Sequence, residues 1–257
     1  MLINKMTFKR IIPCMLIKNK RTVKGKMFKN HEDAGDPINT SRIYNAQMAD
    51  EIIVIDIDST ISKKEPDFDI LKKMAKNCFI PISFGGGISN LSRAFKAFES
   101  GADKIIINSK ARKEPNFVSK CSKIFGKQAI VVAIDYKYEN KLPIVMENNG
   151  TKKTKDNPIN WAKRIVKMGA GEIFFTNVSN EGMQKGIDNN FFRIASKTLN
   201  VPTIAHGGAK DLNDFVEPFK KTNISGIAAG RILQFADNNL LKIRKYMLNS
   251  QIDTRPC

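Results

Sequence analysis

The sequence predicts an α/β fold, a single (β/α)8 barrel of the TIM-barrel architecture with duplicated half-barrels. Eight short, almost continuously apolar runs alternate with amphipathic stretches along 257 residues, as expected for parallel strands buried on both faces. Two separate segments also recur at one constant spacing of 121 residues. A doubly wound open sheet is the alternative fold, but it would not predict two equal halves.

Each predicted strand is a run of apolar residues rich in isoleucine and valine. In chain order the strands are residues 10–17, 51–57, 80–84, 104–108, 129–135, 172–176, 201–205 and 224–229. Amphipathic stretches at 89–100, 114–124, 158–168 and 211–220 predict helices between them. The longest connections, 18–36 and 136–157, follow the first strand of each half. We expect them to be active-site loops, because such loops lie at the carboxyl ends of barrel strands.

The repeat defines the two halves. Residues 36–52 and 157–173 share six identities in 17 positions, and residues 81–87 align with 202–208 at the same spacing. A shared spacing in two separated segments indicates half-barrels of about 8–125 and 126–248. No interior linker interrupts the pattern, so we predict one domain over residues 1–257.

Composition narrows the function classes. Lys and Arg outnumber Asp and Glu by 43 to 25, giving a net charge of +18 and a pI near 9.8. The lysines are spread along the whole chain without a basic tail or an Arg/aromatic cluster, so we expect a Lys-rich surface and no nucleic-acid partner. The four scattered cysteines predict neither disulfides nor a zinc site. Without a membrane-length apolar run or a signal-peptide pattern at the start, we expect a soluble cytoplasmic protein with no membrane partner.

Glycine clusters follow three of the predicted strands. Gly85–Gly87 comes after the third strand, Gly207–Gly208 after the seventh, and Gly230 after the eighth. Glycine lets backbone N–H groups approach an anion, and turns after strands seven and eight form the usual phosphate site of this fold. Tight turns that need positive φ are the alternative explanation. Two such sites on opposite sides of the mouth predict an elongated substrate with a phosphate at each end.

Seven short motifs occur in order along the chain. They are RIIPC (10–14), VKG (23–25), DAGDP (33–37), GGGI (85–88), GADK (101–104), VVAID (131–135) and GAGE (169–172). With these motifs the chain, over roughly residues 8–248, resembles the cyclase subunit of imidazole glycerol phosphate synthase. The resemblance implies a duplicated (β/α)8 barrel that takes ammonia from a glutaminase subunit. It also implies a bis-phosphorylated ribulosyl aminoimidazole substrate, and we expect neither a cofactor nor a metal.

The resemblance implies two catalytic aspartates, at the ends of the first and fifth strands. Asp135 closes VVAID, where a carboxylate can act as acid or base, although it could also merely cap a turn. The other position holds Leu16, and the half-barrel symmetry also sets Leu16 opposite Asp135. An isobutyl group cannot transfer a proton, so intrinsic cyclase activity is expected to be impaired.

Further departures from the family lie around the same pocket. Where the family has Asp-Gly-Thr, this chain has Glu181-Gly182-Met183. His206 replaces a small hydroxyl residue, Ser89 replaces Arg, and Met27 replaces Asn. His206 is either structural or a substrate contact. The predicted phosphate-binding residues are Gly86, Gly87, Asn108, Ser109, Gly182, Gly207, Gly208, Gly230 and Arg231. We expect the first-half site to be weaker, because no neighbouring arginine follows Ile88.

Four charged residues begin strands at the opposite end of the barrel. They are Arg10, Glu51, Lys104 and Glu172. The resemblance implies that they form the gate through which ammonia enters, and that Asp103 and Gln128 lie on the glutaminase-binding face. The alternative is a salt-bridged ring that only closes the bottom of the barrel.

Three functions remain open from the sequence. The chain is an ordinary histidine-pathway cyclase, or a paralogue that passes ammonia to another acceptor, or a barrel recruited to nucleic acid. The gate residues are retained although Leu16 replaces a catalytic aspartate, and this contrast favours the paralogue. We therefore expect a glutaminase partner and sugar amidination for surface polysaccharide (lipopolysaccharide) synthesis with a third, sugar-amidotransferase protein.

Overall fold

The predicted barrel is confirmed by a computed structural model, which describes residues 8–62, 64–236 and 238–255. Residues 1–7 of the amino-terminal stretch considered above, and Cys257, lie outside the described residues. The strands within the described part are β1 (Arg10–Lys18), β2 (Arg21–Lys26), β3 (Lys29–Gly35), β4 (Ile52–Asp56), β5 (Ile82–Gly85), β6 (Lys104–Ile107), β7 (Ile130–Glu139), β8 (Leu142–Glu147), β9 (Lys152–Lys153), β10 (Glu172–Asn177), β11 (Thr203–His206) and β12 (Gly226–Ala229).

Eight of these described strands form a closed parallel barrel. Hydrogen bonds link β10, β11, β12, β1, β4, β5, β6 and β7 in that order, and pairing of β7 with β10 closes the ring. All eight coincide with predicted strands. Alternate residues face the interior, so Ile12 and Leu16 of β1 point inward while Ile11 and Ile17 pack beneath the helices. The interior is therefore apolar along most of its length.

Helices cover the outside of the barrel. Those in the described residues are α1 (Pro37–Ala46), α2 (Ile57–Ser62), α3 (Phe68–Asn77), α4 (Leu91–Glu99), α5 (Ser109–Lys113), α6 (Asn116–Phe125), α7 (Pro158–Lys167), α8 (Asn189–Thr198), α9 (Glu217–Lys221), α10 (Arg231–Gln234) and α11 (Leu240–Asn249). The Asp36 and Asn157 side chains cap α1 and α7, and each helix has proline in its first turn. The predicted helix at 211–220 is divided into a 3₁₀ turn at Leu212–Phe215 and α9. Pro218 permits α9 to begin there but could not lie within one continuous helix.

We expected the two longest connections to be loops, but the structure shows that they are antiparallel hairpins at the barrel mouth. Strand β1 continues into a pair with β2, and β7 continues into a pair with β8. The turns between them are Asn19-Lys20 and Asn140-Lys141, all with positive φ, as a two-residue hairpin turn of matching twist requires. The two turns stand at the same spacing as the sequence repeat.

None of the helices in the described parts of the chain is long and apolar enough to cross a membrane. Cys14, Cys78 and Cys121 are buried free thiols.

Candidate functional site

A cavity of about 470 Å³ opens at the carboxyl ends of the barrel strands. Asp135 and Leu16 both line it, together with Thr176 and His206. Most of the remaining wall area is apolar and includes Phe174, but Arg93, Lys110 and Lys113 also line the cavity. The cavity can thus enclose a small molecule and place it against a few polar groups.

Asp135 is a buried carboxylic acid in this wall. Asn108 Nδ2 donates a hydrogen bond to Asp135 Oδ2 over 2.8 Å. Burial raises the pKa of Asp135 to about 6; Asn108 and Thr176 oppose the rise, while the charge of Glu181 adds to it. A carboxyl group that titrates near neutral pH can both take and give a proton.

Leu16 occupies the opposite side of the strand ring as an apolar wall residue. It is 8% exposed and pairs with Val23 of β2 and Ile55 of β4. Nothing at position 16 can exchange a proton.

The first predicted phosphate site forms part of the cavity wall. Gly86, Gly87 and Ser109 line it. A side chain at Gly86 would come within 2.0 Å of the Asp56 carbonyl oxygen, so this glycine also has a packing reason. No arginine follows Ile88 directly, but Arg93 reaches this turn, where its Nη1 donates to the Gly87 carbonyl over 2.8 Å. The first turn of α4 brings Arg93 back to the glycine turn.

The second predicted phosphate site is a separate small pocket. Its wall contains Gly182, Gly207, Gly208, Gly230 and Arg231, so the structure brings the predicted residues together. The pocket volume is about 20 Å³, which leaves room for about one water. The Arg231 guanidinium lies 5.1 Å from the centre of the Phe235 ring and 3.5 Å from Glu32.

A buried ion pair beside this pocket was not predicted. Lys24 Nζ and Glu181 Oε1 are 2.5 Å apart, and the two side chains are 2% and 1% exposed. Burial alone would raise the pKa of Glu181, but the charge and hydrogen bond of Lys24 lower it. The pair ties the β2 hairpin to the segment after β10. Lys24 lies in a stretch that the sequence predicted to be a loop, and nothing in the sequence indicated that its side chain is buried.

His206 is buried between the cavity and the small pocket and lines both. Its Nδ1 atom lies 3.2 Å from Thr176 Oγ1. Burial and the charge of Lys24 together lower the pKa of His206 to about 3, although the charge of Glu181 opposes them. The imidazole is therefore neutral near pH 7. Met27 and Met183 do not line either of these cavities.

The four charged residues at the other end form a closed ring. Arg10 Nη1 lies 2.7 Å from Glu51, and Lys104 Nζ lies 2.9 Å from Glu51 and 2.7 Å from Glu172. An ion pair between Arg10 and Glu172 completes the ring. Burial would raise the pKa of Glu172, but the charges and hydrogen bonds of Arg10 and Lys104 lower it. The carboxylates are buried and the cations face solvent.

Asp103 and Gln128 are exposed at the same end of the barrel. The Ile82 N–H donates to Asp103 Oδ2 over 2.8 Å, so Asp103 also stabilises the start of β5. The apolar interior, including Ile12 and Ile53, separates this face from the cavity.

Comparison with known proteins gives a family match and several full-length relatives. The family model described as "Histidine biosynthesis protein" matches residues 10–238. The imidazole glycerol phosphate synthase subunit HisF of Hydrogenobaculum sp. is 39% identical over 251 residues, covering 97% of this chain and 100% of the relative. The subunit of the same name from Chlorobaculum tepidum is 36% identical over 250 residues, with 97% and 100% coverage. A putative imidazole glycerol phosphate synthase subunit hisF2 of Pseudomonas aeruginosa is 37% identical over 232 residues, covering 90% and 92%.

Proposed function

This chain belongs to the histidine biosynthesis protein family, and from that premise we propose that it is the barrel subunit of an imidazole glycerol phosphate synthase. Ammonia from a glutaminase subunit enters at one end and reacts with a bis-phosphorylated ribulosyl aminoimidazole in the cavity at the other. One observation carries the proposal: the charged ring and the cavity that holds Asp135 lie at opposite ends of one apolar barrel interior.

The charge and polarity of this path favour neutral ammonia over ammonium. Arg10 and Lys104 are the ring residues that face solvent, each with 21% of its side chain exposed, and both repel a cation. Beyond them Ile53 and Val131 offer an ammonium ion no partner. Burying an unpaired charge is far more costly than burying a small neutral molecule, so the interior supports passage of ammonia.

The glutaminase partner docks on the amino-terminal face of the barrel. Asp103 and Gln128 are exposed there beside the ring. A partner on this face delivers ammonia directly to the ring, and the cavity at the other end stays open to substrate.

The two glycine turns hold the phosphates at the two ends of the substrate. Gly86 and Gly87 lie in the cavity wall beside Arg93. Gly207 and Gly208 lie on the side of the mouth closed by the Lys24–Glu181 pair. Backbone N–H groups at such turns bind anions, and a substrate spanning both turns presents its middle to Asp135.

A second candidate acceptor, a sugar destined for surface polysaccharide, is favoured by Leu16 alone. Without a carboxylate at position 16, the ordinary acid–base pair is incomplete. The names of the three relatives given above do not refer to glycan synthesis, so we place the imidazole glycerol phosphate synthase function first. Amidination would require a third, sugar-amidotransferase protein, which makes the two functions separable.

The test supplies the purified chain with ammonium at high pH and the bis-phosphorylated substrate, and measures imidazole glycerol phosphate. We expect product from the unmodified chain and at least about 10²-fold less from Asp135→Asn, because one acid–base group contributes ~10²–10⁴-fold. Absence of product while the substrate binds would contradict the proposal. Ammonia transfer that appears only with a sugar-amidotransferase protein would instead support the second candidate.

A further inference from the structure

Three polar side chains occupy equivalent positions on neighbouring strands at the cavity. Thr176 of β10 is in register with Asp135 of β7 on one side and with His206 of β11 on the other. Each follows an inward-facing apolar residue by two positions: Ala133, Phe174 and Ile204. Because side chains two positions apart share a face of a strand, all three polar groups point into the barrel mouth.

Thr176 connects the other two groups. Its Oγ1 lies 3.2 Å from His206 Nδ1. On its other side Thr176 is in register with Asp135, and the Thr176 hydroxyl lowers the pKa of that carboxyl group. A hydroxyl has one proton to donate. If that proton goes to Asp135, Thr176 Oγ1 must accept a hydrogen bond from His206 Nδ1–H. The tautomer is then fixed, with an unprotonated Nε2.

We propose that His206 is a second acid–base residue of this site and acts with Asp135 through the hydroxyl of Thr176, which is a positioning residue. The inference rests on the proposed function for the identity of the substrate. In the forward direction one proton leaves the ammonia-derived nitrogen of the substrate for His206 Nε2. The Nδ1 proton passes to Thr176 Oγ1, and the Thr176 proton passes to Asp135. Asp135 ends protonated, and the reverse sequence returns the proton.

The surroundings explain why the proton moves on to Asp135. His206 is buried, and it faces Lys24 from β2 and Glu181 from the segment after β10. Asp135 faces the neutral amide of Asn108 and the charge of Glu181. Burial and Lys24 hold the pKa of His206 at about 3, whereas the pKa of Asp135 is about 6. A proton taken up by the imidazole is therefore more stable on the carboxylate.

This arrangement supplies what Leu16 removes. The second group that can exchange a proton lies on β11, in register with Thr176, instead of at the end of β1. The competing explanation is that His206 only fills space beside Phe174, whose ring centre is 5.3 Å from that of the imidazole. A histidine that only packs there predicts no loss of kcat when it is replaced, so the effect of a substitution on kcat distinguishes the two.

The first test determines that tautomer. The chain has two histidines, His31 and His206, so ¹⁵N-histidine labelling of the full-length protein gives a simple two-bond ¹H–¹⁵N spectrum, and a His31→Asn variant assigns it. We expect His206 to be neutral and protonated on Nδ1 from pH 5 to 8. Thr176→Val should move the proton to Nε2. Protonation on Nε2 in the unmodified protein, an imidazolium in this pH range, or an unchanged tautomer in Thr176→Val would each overturn the relay.

The second test separates catalysis from packing. His206→Asn keeps a donor toward Thr176 but has no Nε2, and we expect kcat to fall about 10²–10⁴-fold while KM changes less than about threefold. Unchanged kcat in His206→Asn would overturn the proposal. The tautomer measurement needs no substrate. An inactive unmodified protein with the expected tautomer would therefore contradict the proposed function, and an active protein with the wrong tautomer would contradict the relay alone.

Discussion

The buried pair between Lys24 and Glu181 gives a stability prediction whose size follows from its burial. Lys24→Met keeps a long apolar stem and leaves the Glu181 carboxylate, 1% exposed, without its cation. The Phe28 N–H, 3.4 Å from Glu181 Oε2, is then a weak remaining donor. Removing one partner of a buried ion pair costs about 3–5 kcal/mol. Adding Glu181→Gln removes the uncompensated charge, so the double variant should recover about 0.5–3 kcal/mol of the loss.

Urea unfolding measures this loss, and the chain offers a matched control. Lys96 and Glu65 also form an ion pair, at 2.6 Å, but their side chains are 48% and 50% exposed. Lys96→Met should cost no more than about 1 kcal/mol. Because the pKa of Glu181 is lowered from 4.5 on folding, its ionised form stabilises the protein above pH 4.5, and this contribution is lost as the pH falls through the lowered value. The loss in Lys24→Met should therefore shrink in acid. Equal losses of unfolding free energy in Lys24→Met and Lys96→Met would contradict a cost that depends on the burial of the Lys24–Glu181 pair.

Three further predictions concern the gate, an anion site and the acid–base groups. Lys104→Glu sets a third negative charge beside Glu51 and Glu172 and should lower the ratio of glutamine-dependent to ammonium-dependent turnover. Lys104→Arg should preserve this ratio. Equal ratios in the two variants would contradict a role of the ring in ammonia entry. Arg93→Met removes a cation that contacts the Gly87 carbonyl and should weaken binding of inorganic phosphate by at least about threefold in calorimetry, and unchanged affinity would count against this site. In the unmodified protein, Leu16→Asp should change turnover less than about tenfold. In a His206→Ser background the same substitution should change turnover more, because only there is the second acid–base group absent. A larger effect of Leu16→Asp in the unmodified protein would contradict the role of His206.

The sequence predicted the barrel because a parallel strand buried on both faces needs a nearly continuous apolar run. The run 129–135 matches β7 over its first part. The extension of β7 to Glu139 was not predicted, because residues 136–139 pass from buried to exposed and belong to a hairpin. The turn is Asn140-Lys141, in which both residues have positive φ. Lysine with positive φ is uncommon, so this pair is a weak turn signal in the sequence.

At the candidate site, the sequence predicted where several residues lie but not all of their contacts. Asp135 and the four ring residues lie where their places at strand ends predicted. The contact between Thr176 and His206 depends on the register of two strands separated by a helix, which the sequence pattern does not fix. Arg93 was missed for a related reason, since its side chain returns from α4 to a turn six residues earlier in the chain.

We propose that nitrogen released by a glutaminase travels through this barrel to the substrate at its mouth, and an isotope-labelling experiment tests this directly. The complex of this chain with its glutaminase is given glutamine labelled with ¹⁵N in the amide, the bis-phosphorylated substrate and an excess of unlabelled ammonium at neutral pH. The ¹⁵N fraction of imidazole glycerol phosphate is then measured by mass spectrometry. We predict that most product carries the label despite the unlabelled pool, and that Lys104→Glu reduces this fraction. Product labelled only in proportion to the mixed ammonium pool, or no product at all, would contradict it.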